Sequence, residues 1–137
     1  MKHIAVMAAL LLPLSSTAGE LKLILHGTGL SGKNLYVAVH SVAVDFPVHD
    51  EKAIRSVVVA KGEATELLLP NVPAGEYAVA VFADSNGNGK LDKNFFGIPK
   101  EPVGTSLDAK GRFGPPKFAD AAFNMGEGVT QQTIHIK

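Results

Sequence analysis

The chain has 137 residues, about the size of one domain, and its lack of cysteine excludes disulfides, thiolate metal sites and cysteine nucleophiles. Its 13 basic and 13 acidic residues balance, so no overall field attracts nucleic acid or an anionic membrane. No basic run is interleaved with aromatic residues, which further argues against a nucleic-acid partner.

The N-terminus has the three parts of a secretory signal peptide. A short basic start at Lys2 and His3 precedes an apolar stretch, and small residues follow up to Ala18, after which we expect cleavage. The apolar stretch is about half the roughly 20 residues that span a bilayer as a helix, so we expect no membrane span.

Removal of residues 1–18 takes away Lys2 and leaves 12 basic against 13 acidic residues, a net charge of 12 − 13 = −1. The remaining residues, 19–137, are predicted to form one monomeric domain with a single core. We expect this domain in the bacterial periplasm or in the medium.

Several segments alternate apolar and polar residues with the period of a β-strand. The first two are expected to form a hairpin, and the composition of 70–75 predicts a turn before the fifth. In the fifth, Tyr77, Val79 and Val81 share one face and Ala78, Ala80 and Phe82 share the other, which predicts a core strand buried on both sides. The six segments are 20–26, 34–41, 54–60, 65–69, 76–83 and 130–136.

A long segment, 94–128, carries four prolines, six glycines and no sustained period. A segment of this length in a compact domain is typical of a functional or covering loop. Its phenylalanines are expected to pack down as anchors. The alternative is that they cover a small pocket, which would make the protein a periplasmic carrier of a small apolar or carbohydrate ligand held beneath residues 94–123. These residues are Phe95, Phe96, Phe113, Phe118 and Phe123.

Together these strands predict an all-β fold. About seven strands separated by turns, with almost no helical periodicity, indicate a small antiparallel sandwich of the immunoglobulin-like or transthyretin-like type. A small barrel is the alternative architecture.

The glycine-rich loop 84–92 has the donor pattern of a calcium site. Oxygen-bearing side chains occupy loop positions 1, 3, 5 and 9, glycine occupies position 6 and a backbone carbonyl position 7, a set that suits a hard cation. Leu91 is expected to anchor the loop to the core. The predicted metal ligands are Asp84, Asn86, Asn88, Lys90 and Asp92, with Gly89 providing the turn.

The loop is not an EF-hand, because position 12 is Phe95 rather than glutamate and no flanking helices are evident. A remaining ligand must come from elsewhere, and Asn94, Glu101 and Asp120 are the three candidates. The alternative is that the two Asn-Gly pairs are turn dipeptides only.

The other groups of polar residues give weaker indications of a catalytic or metal site. The histidines lack the spacing of a helical metal site, and their placement in strands indicates solvated surface positions. No serine lies in a G-x-S-x-G elbow, which argues against a serine hydrolase. Glu101 and Asp120 resemble a glycosidase pair only in being two carboxylates on one loop. We therefore expect a binding module without enzymatic activity.

Three stretches, LPNVPAGEYAVAVFADSNGNGKLD (69–92), FGIPKE (96–101) and GPPKFADAAF (114–123), resemble the bacterial exported family called domain of unknown function 2141. The resemblance covers essentially the whole predicted mature chain. It implies no activity, and it leaves the partner as an unknown protein or small molecule. The first stretch also resembles transthyretin-like and carboxypeptidase regulatory-like sandwich domains, which supports the predicted fold by analogy.

Overall fold

The computed structural model describes residues 17–137, and most of the predicted signal peptide, residues 1–16, lies outside the described residues. Within 17–137, eight strands form two facing sheets, which confirms the predicted all-β sandwich. The strands are β1 Ala18–His26, β2 Asn34–His40, β3 Ile54–Val59, β4 Ala64–Pro73, β5 Gly75–Asp84, β6 Val103–Thr105, β7 Phe123–Met125 and β8 Gly128–His135.

Within residues 17–137, helical structure is limited to one short helix, α1 Phe118–Ala121, and to 3-10 turns that include Ala43–Asp45 and Ser106–Asp108. None of the helices in the described part of the chain has the length and apolar character needed to cross a bilayer.

One sheet has the order β4-β1-β8, and the other has the order β3-β2-β5-β6, with β7 also paired to β5. The predicted β1–β2 hairpin is therefore wrong, because the two strands belong to different sheets. Leu23 of β1 and Val37 of β2 both point into the core, but from opposite sides. The alternating pattern fits facing strands as well as paired ones, so it did not distinguish them.

The pairing of β1 with β8 is parallel, from Gly19 opposite Gly128 to His26 opposite His135. The sequence predicted a purely antiparallel sandwich, and this parallel pair shows that the sandwich is mixed. Strands β1 and β8 are the first and last of the domain, and the six other strands lie between them in the chain. Neighbouring parallel strands cannot be joined by a tight turn, so they need a long connection of this kind.

The predicted turn at 70–75 is wrong in its extent. Strand β4 continues through this stretch to Pro73, pairing with the start of β1, and β5 begins at Gly75. Because β4 and β5 lie in different sheets, the chain passes from one layer to the other rather than reversing within one. Asn71, with φ of 59°, takes the left-handed conformation that asparagine tolerates better than most residues.

The two sheets are joined at one edge. The N–H of Val103 in β6 donates to the carbonyl of Lys137 after β8, and the N–H of Lys137 donates back, each at 3.0 Å. Gly104 sits where an added Cβ would lie 2.8 Å from the carbonyl oxygen of His135, so this close approach requires glycine. This edge is closed, as it would be in the alternative barrel.

The core lies between the sheets and contains the predicted inward faces of the strands. Leu21, Leu23 and Leu25 of β1 are 0–1% exposed, and Tyr77, Val79 and Val81 of β5 are buried opposite them. The prediction of a core strand at 76–83 is confirmed, and Ala78 on its other face is also fully buried.

The second face of β5 is covered by part of the long segment. Ala121 of α1 and Phe46, from the β2–β3 connection, pack on Ala78, and Phe118 joins them. The expectation that all five phenylalanines anchor this segment is wrong. Phe95, Phe96 and Phe113 are 97%, 82% and 100% exposed, whereas Phe118 is half-buried and Phe123 is buried.

Ser106 fastens the covering segment to β5. β7 pairs with residues 75–77 and β6 with 80–82, and between them the N–H of Val79 donates to the Ser106 hydroxyl at 2.9 Å. That hydroxyl donates in turn to the carbonyl of Ala121 at 2.6 Å. The fully buried side chain thus completes the edge of β5 between two short strands.

Ser106→Ala would leave the N–H of Val79 and the carbonyl of Ala121 without this partner. We expect it to lower the free energy of unfolding by about 1–3 kcal/mol, the cost of unpaired buried polar groups. Thermal and denaturant unfolding measure this change. Ser31→Ala, at an exposed serine, is the control and is expected to have little effect. Equal stability of the two variants would contradict the role of Ser106.

Candidate functional site

The loop 84–92 leaves the end of β5, and the pairing of β5 with β6 brings Glu101 to it. Phe82 lies opposite Val103 in this antiparallel pair, and the N–H of Ala83 donates to the carbonyl of Pro102. Two residues further along each strand, the same register places Glu101 opposite Asp84. The sandwich edge therefore delivers a carboxyl group to the base of the loop.

Asp84 closes the loop from the inside. Its side chain is 5% exposed, and its two oxygens accept the backbone N–H groups of Gly87 at 3.0 Å and Gly89 at 2.7 Å. Both glycines have positive φ, 76° and 74°, which allows the chain to curl around the carboxylate. Gly89 thus makes the turn that the sequence predicts for it.

Opposing effects act on the ionisation of Asp84. Burial raises the pKa of its carboxyl, but hydrogen bonds from the backbone N–H groups of Gly89, Gly87 and Asn88 lower it. A side-chain hydrogen bond with Glu101 lowers the pKa further, so it lies below 3.8, its ordinary value. The group is therefore a carboxylate at neutral pH.

Glu101 holds the two ends of the loop together. One oxygen accepts the N–H of Ser85 at 2.7 Å and the other accepts the N–H of Asp92 at 3.0 Å. Its side chain is 7% exposed. Of the three candidates for the remaining ligand, Glu101 is the residue that the structure places at the loop.

The outer side of the loop brings the other predicted ligands together. The amide nitrogens of Asn86 and Asn88 both donate to the carboxylate of Asp92, the second at 2.9 Å. The amide oxygen of Asn86 accepts the N–H of Asn88, and that of Asn88 accepts the N–H of Lys90 at 2.9 Å. These three side chains therefore surround one point on the exposed face of the loop.

One sequence-based expectation is wrong, and two of the three candidates for the remaining ligand lie elsewhere. Leu91 is half-buried and belongs to neither apolar cluster, so it does not anchor the loop to the core. Asn94 caps the next turn, accepting the N–H groups of Phe96 and Ile98. Asp120 is exposed on α1, which packs near Ala78 at the other half of β5, so it makes no pair with Glu101.

The donor types fit a hard cation, but the carboxylates are few. Within residues 17–137, no three histidine or acidic side chains lie close enough together to hold a metal ion. A calcium ion at this loop would need the oxygens of Asn86 and Asn88 and backbone carbonyls such as that of Lys90. The two amides would have to turn their oxygens toward Asp92.

One histidine, His40, differs from the expectation of solvated surface positions, whereas His49 and His135 are exposed and His26 is partly exposed. His40 is 1% exposed and packs edge-on against Phe46, and burial lowers its pKa despite the opposing effects of Asp50 and Asp45. His135 does meet a carboxylate, Asp108, with Nδ1 2.8 Å from Oδ2. Both side chains of this pair are nearly half exposed, so it lacks the enclosing cleft of a hydrolytic site.

The long segment also forms a groove of about 580 Å³ between residues 110 and 120. Lys110, Arg112 and Lys117 line it, together with the exposed Phe113. Its lining is therefore largely basic and differs from the apolar pocket that the phenylalanines suggested.

Asp84 contributes stability that depends on pH. Because folding lowers the pKa of Asp84, its contribution to stability is complete at pH values above 3.8, the ordinary pKa of the group. The contribution is lost as the pH falls through the pKa of the folded state. Asp84→Asn, whose amide nitrogen would face a backbone N–H, is expected to melt at a lower temperature than the parent at neutral pH. The difference in melting temperature between this variant and the parent should narrow as the pH falls toward about 3.

Thermal unfolding from about pH 7 to about pH 3 measures this difference. Asp120→Asn makes the same change at an exposed residue and is expected to follow the parent throughout. A difference between Asp84→Asn and the parent that stays constant over the whole range would contradict the assignment.

Comparison with known proteins gives one match. Residues 28–133 match the model of a family described as "Uncharacterized protein conserved in bacteria (DUF2141)". No curated protein matches the chain. No solved structure matches it either. The matched region runs from the β1–β2 connection into β8 and includes the whole loop with Glu101.

Proposed function

The chain belongs to the bacterial DUF2141 family, and from this premise we propose that it is an exported, non-enzymatic β-sandwich module whose loop 84–92 binds calcium. The ion has a structural role, because it fixes the loop at the end of the central strand β5. Asp84, Asn86, Asn88 and Asp92 supply side-chain oxygens and Lys90 its carbonyl, and the buried Glu101 adds negative charge beneath the loop. Binding the ion requires these side chains to move closer together than they are in this structure.

The observation that carries the proposal is a pair of buried carboxyl groups without a cationic partner. Asp84 and Glu101 are both more than nine-tenths buried, and both carboxyl groups accept backbone N–H groups of the same loop. In residues 17–137 the ion pairs are Lys22 with Glu66 and His135 with Asp108, neither of which reaches this site. Burying acidic groups without a counter-charge is costly, and a bound cation offsets that cost.

Calcium is expected to raise the melting temperature of the purified protein. At about a hundredfold excess over its dissociation constant, a bound ion adds about 2.7 kcal/mol, which corresponds to several degrees in a domain of this size. The measurement compares melting in millimolar calcium with melting in excess chelator. Asp92→Asn, which keeps the size of the side chain and removes one charge, should abolish most of the shift.

Asp92 is a better test than Asp84, because the Asp84 carboxylate holds loop amides and its loss changes the loop directly. Asp120→Asn, the same substitution away from the loop, is the matched control and should keep the full shift. A parent protein that melts at the same temperature in calcium and in chelator would refute the proposal and leave the loop as a turn.

Export is supported by the three-part N-terminus and by the position of the predicted cleavage site. Ala18 is exposed at the first position of β1, and the next residue, Gly19, is buried beside the carbonyl of Gly126. Cleavage after Ala18 would therefore leave nearly all of β1 in the mature chain.

Expressed in full length in a bacterial host, the protein is expected outside the cytoplasm with Gly19 as its first residue. Intact mass and N-terminal sequencing measure this. Ala18→Arg removes the small residue that signal peptidase requires and should leave the signal attached. A parent chain that keeps its signal and stays in the cytoplasm would contradict export.

The non-enzymatic part of the proposal is supported by the surroundings of the acid–base groups. The Asp108–His135 pair is open to solvent. Glu101 is committed to two backbone N–H groups of the loop. A general acid or base needs both a substrate pocket and a free proton-transfer position.

A further inference from the structure

The turn that follows the loop presents apolar side chains to solvent. Residues 93–100, here called the aromatic tip, contain Phe95, Phe96 and Ile98, which are 97%, 82% and 58% exposed. The two phenyl rings meet edge to face with centroids 5.6 Å apart. Side chains this exposed protrude from the surface and contribute little to the core, so folding does not account for them.

The aromatic tip is an ordered structure. The N–H of Asn94 donates to the carbonyl of Ile98 at 2.8 Å, the N–H of Gly97 donates back to Asn94 at 2.9 Å, and Lys93 bridges to Pro99. The side chain of Asn94 accepts two further N–H groups. This network fixes the backbone in a form that holds both phenylalanines outward.

Basic residues flank the apolar side chains in sequence. Lys90, Lys93 and Lys100 are all exposed, and none forms an ion pair within residues 17–137. The acidic groups nearest in sequence are less accessible, because Glu101 is buried beneath the loop and Asp92 is half-buried and bound by Asn86 and Asn88. The charges that the tip exposes most fully to solvent are therefore the positive charges of the three lysines.

We propose that the aromatic tip docks on an anionic lipid surface. Phenylalanines insert into the boundary between headgroups and acyl chains, where buried apolar area adds to the attraction between basic residues and anionic lipids. The complementary charge favours a lipid headgroup over an apolar groove, which would leave the three lysines unpaired.

The tip lies at the end of the sandwich where β2 begins and β5 ends, since Asn34 pairs with Asp84. The opposite end of this sheet, where His40 pairs with Ala78, carries the exposed Val44 in the following turn. Val44 is 86% exposed and supplies a control at the far end of the molecule. Phe113 is unsuitable as a control because it is flanked by Arg112 and follows Lys110.

The experiment measures cosedimentation of the purified protein with vesicles of phosphatidylcholine alone or mixed equally with phosphatidylglycerol. It is run in chelator, so its outcome is independent of whether loop 84–92 binds calcium. We expect the protein to bind the anionic vesicles and to bind the neutral vesicles only weakly. Binding to the anionic vesicles should weaken as the salt concentration is raised.

The double variant Phe95→Ser, Phe96→Ser should lower the partition coefficient about tenfold or more, because two apolar insertions are lost. Lys93→Gln and Lys100→Gln should each lower it by about fivefold. Val44→Ser should bind like the parent. All these positions are exposed, so melting temperatures should be unchanged and confirm that the variants are folded.

Absence of binding to anionic vesicles, equal binding to neutral ones, or full binding by the double phenylalanine variant would each overturn the proposal. Sedimentation velocity without vesicles tests the other occupant of the tip. A dimer that dissociates when Phe95 and Phe96 are replaced would assign the tip to a second copy of the chain and would also overturn the proposal.

Discussion

The burial of β5 on both faces is the constraint on which the rest of the structure depends. One face, with Val79 and Val81, fills the space between the sheets, while Ala78 on the other face is equally inaccessible. A strand that is apolar on both sides needs a second layer of cover. The segment after β6 provides it, and the hydroxyl of Ser106 joins that cover to the strand by two hydrogen bonds.

The same strand determines where the candidate site lies. Asp84 is the last residue of β5, so the loop starts directly from the end of an inner strand of the sheet. Because β6 pairs antiparallel with β5, the chain that returns to the edge brings Glu101 back beside Asp84. Strand pairing therefore creates the buried acidic pair, and no property of the loop sequence alone requires it.

The sequence predicted the strands and their inward faces because burial on one face imposes a period of two, as in Leu21, Leu23 and Leu25. It did not predict which strands pair. The alternation of β1 is satisfied equally by β2, which faces it, and by β4 and β8, which flank it. Pairing depends on contacts between residues far apart in the chain, and periodicity within one segment carries no information about them.

The loop residues were predicted from their spacing, and the structure brings Asn86, Asn88 and Asp92 together as that spacing implies. Glu101 could be named only as one of three candidates, since its position depends on the β5–β6 register. For two phenylalanines, the sequence-based prediction was wrong. Apolar character predicted burial for Phe95 and Phe96, yet the backbone turn made by Asn94 and Gly97 turns them outward.

The loop and the aromatic tip share backbone contacts. The N–H of Lys100, at the end of the tip, donates to the carbonyl of Asp92 at 2.7 Å. The N–H of the same Asp92 donates to the carboxylate of Glu101, which lies just before β6. Asp92 therefore belongs to both features, because its side chain is bound within the loop and its carbonyl holds the end of the tip. Since the register of β5 and β6 places Glu101 beside Asp84, the same strand pairing positions the loop and the tip at one end of the sandwich.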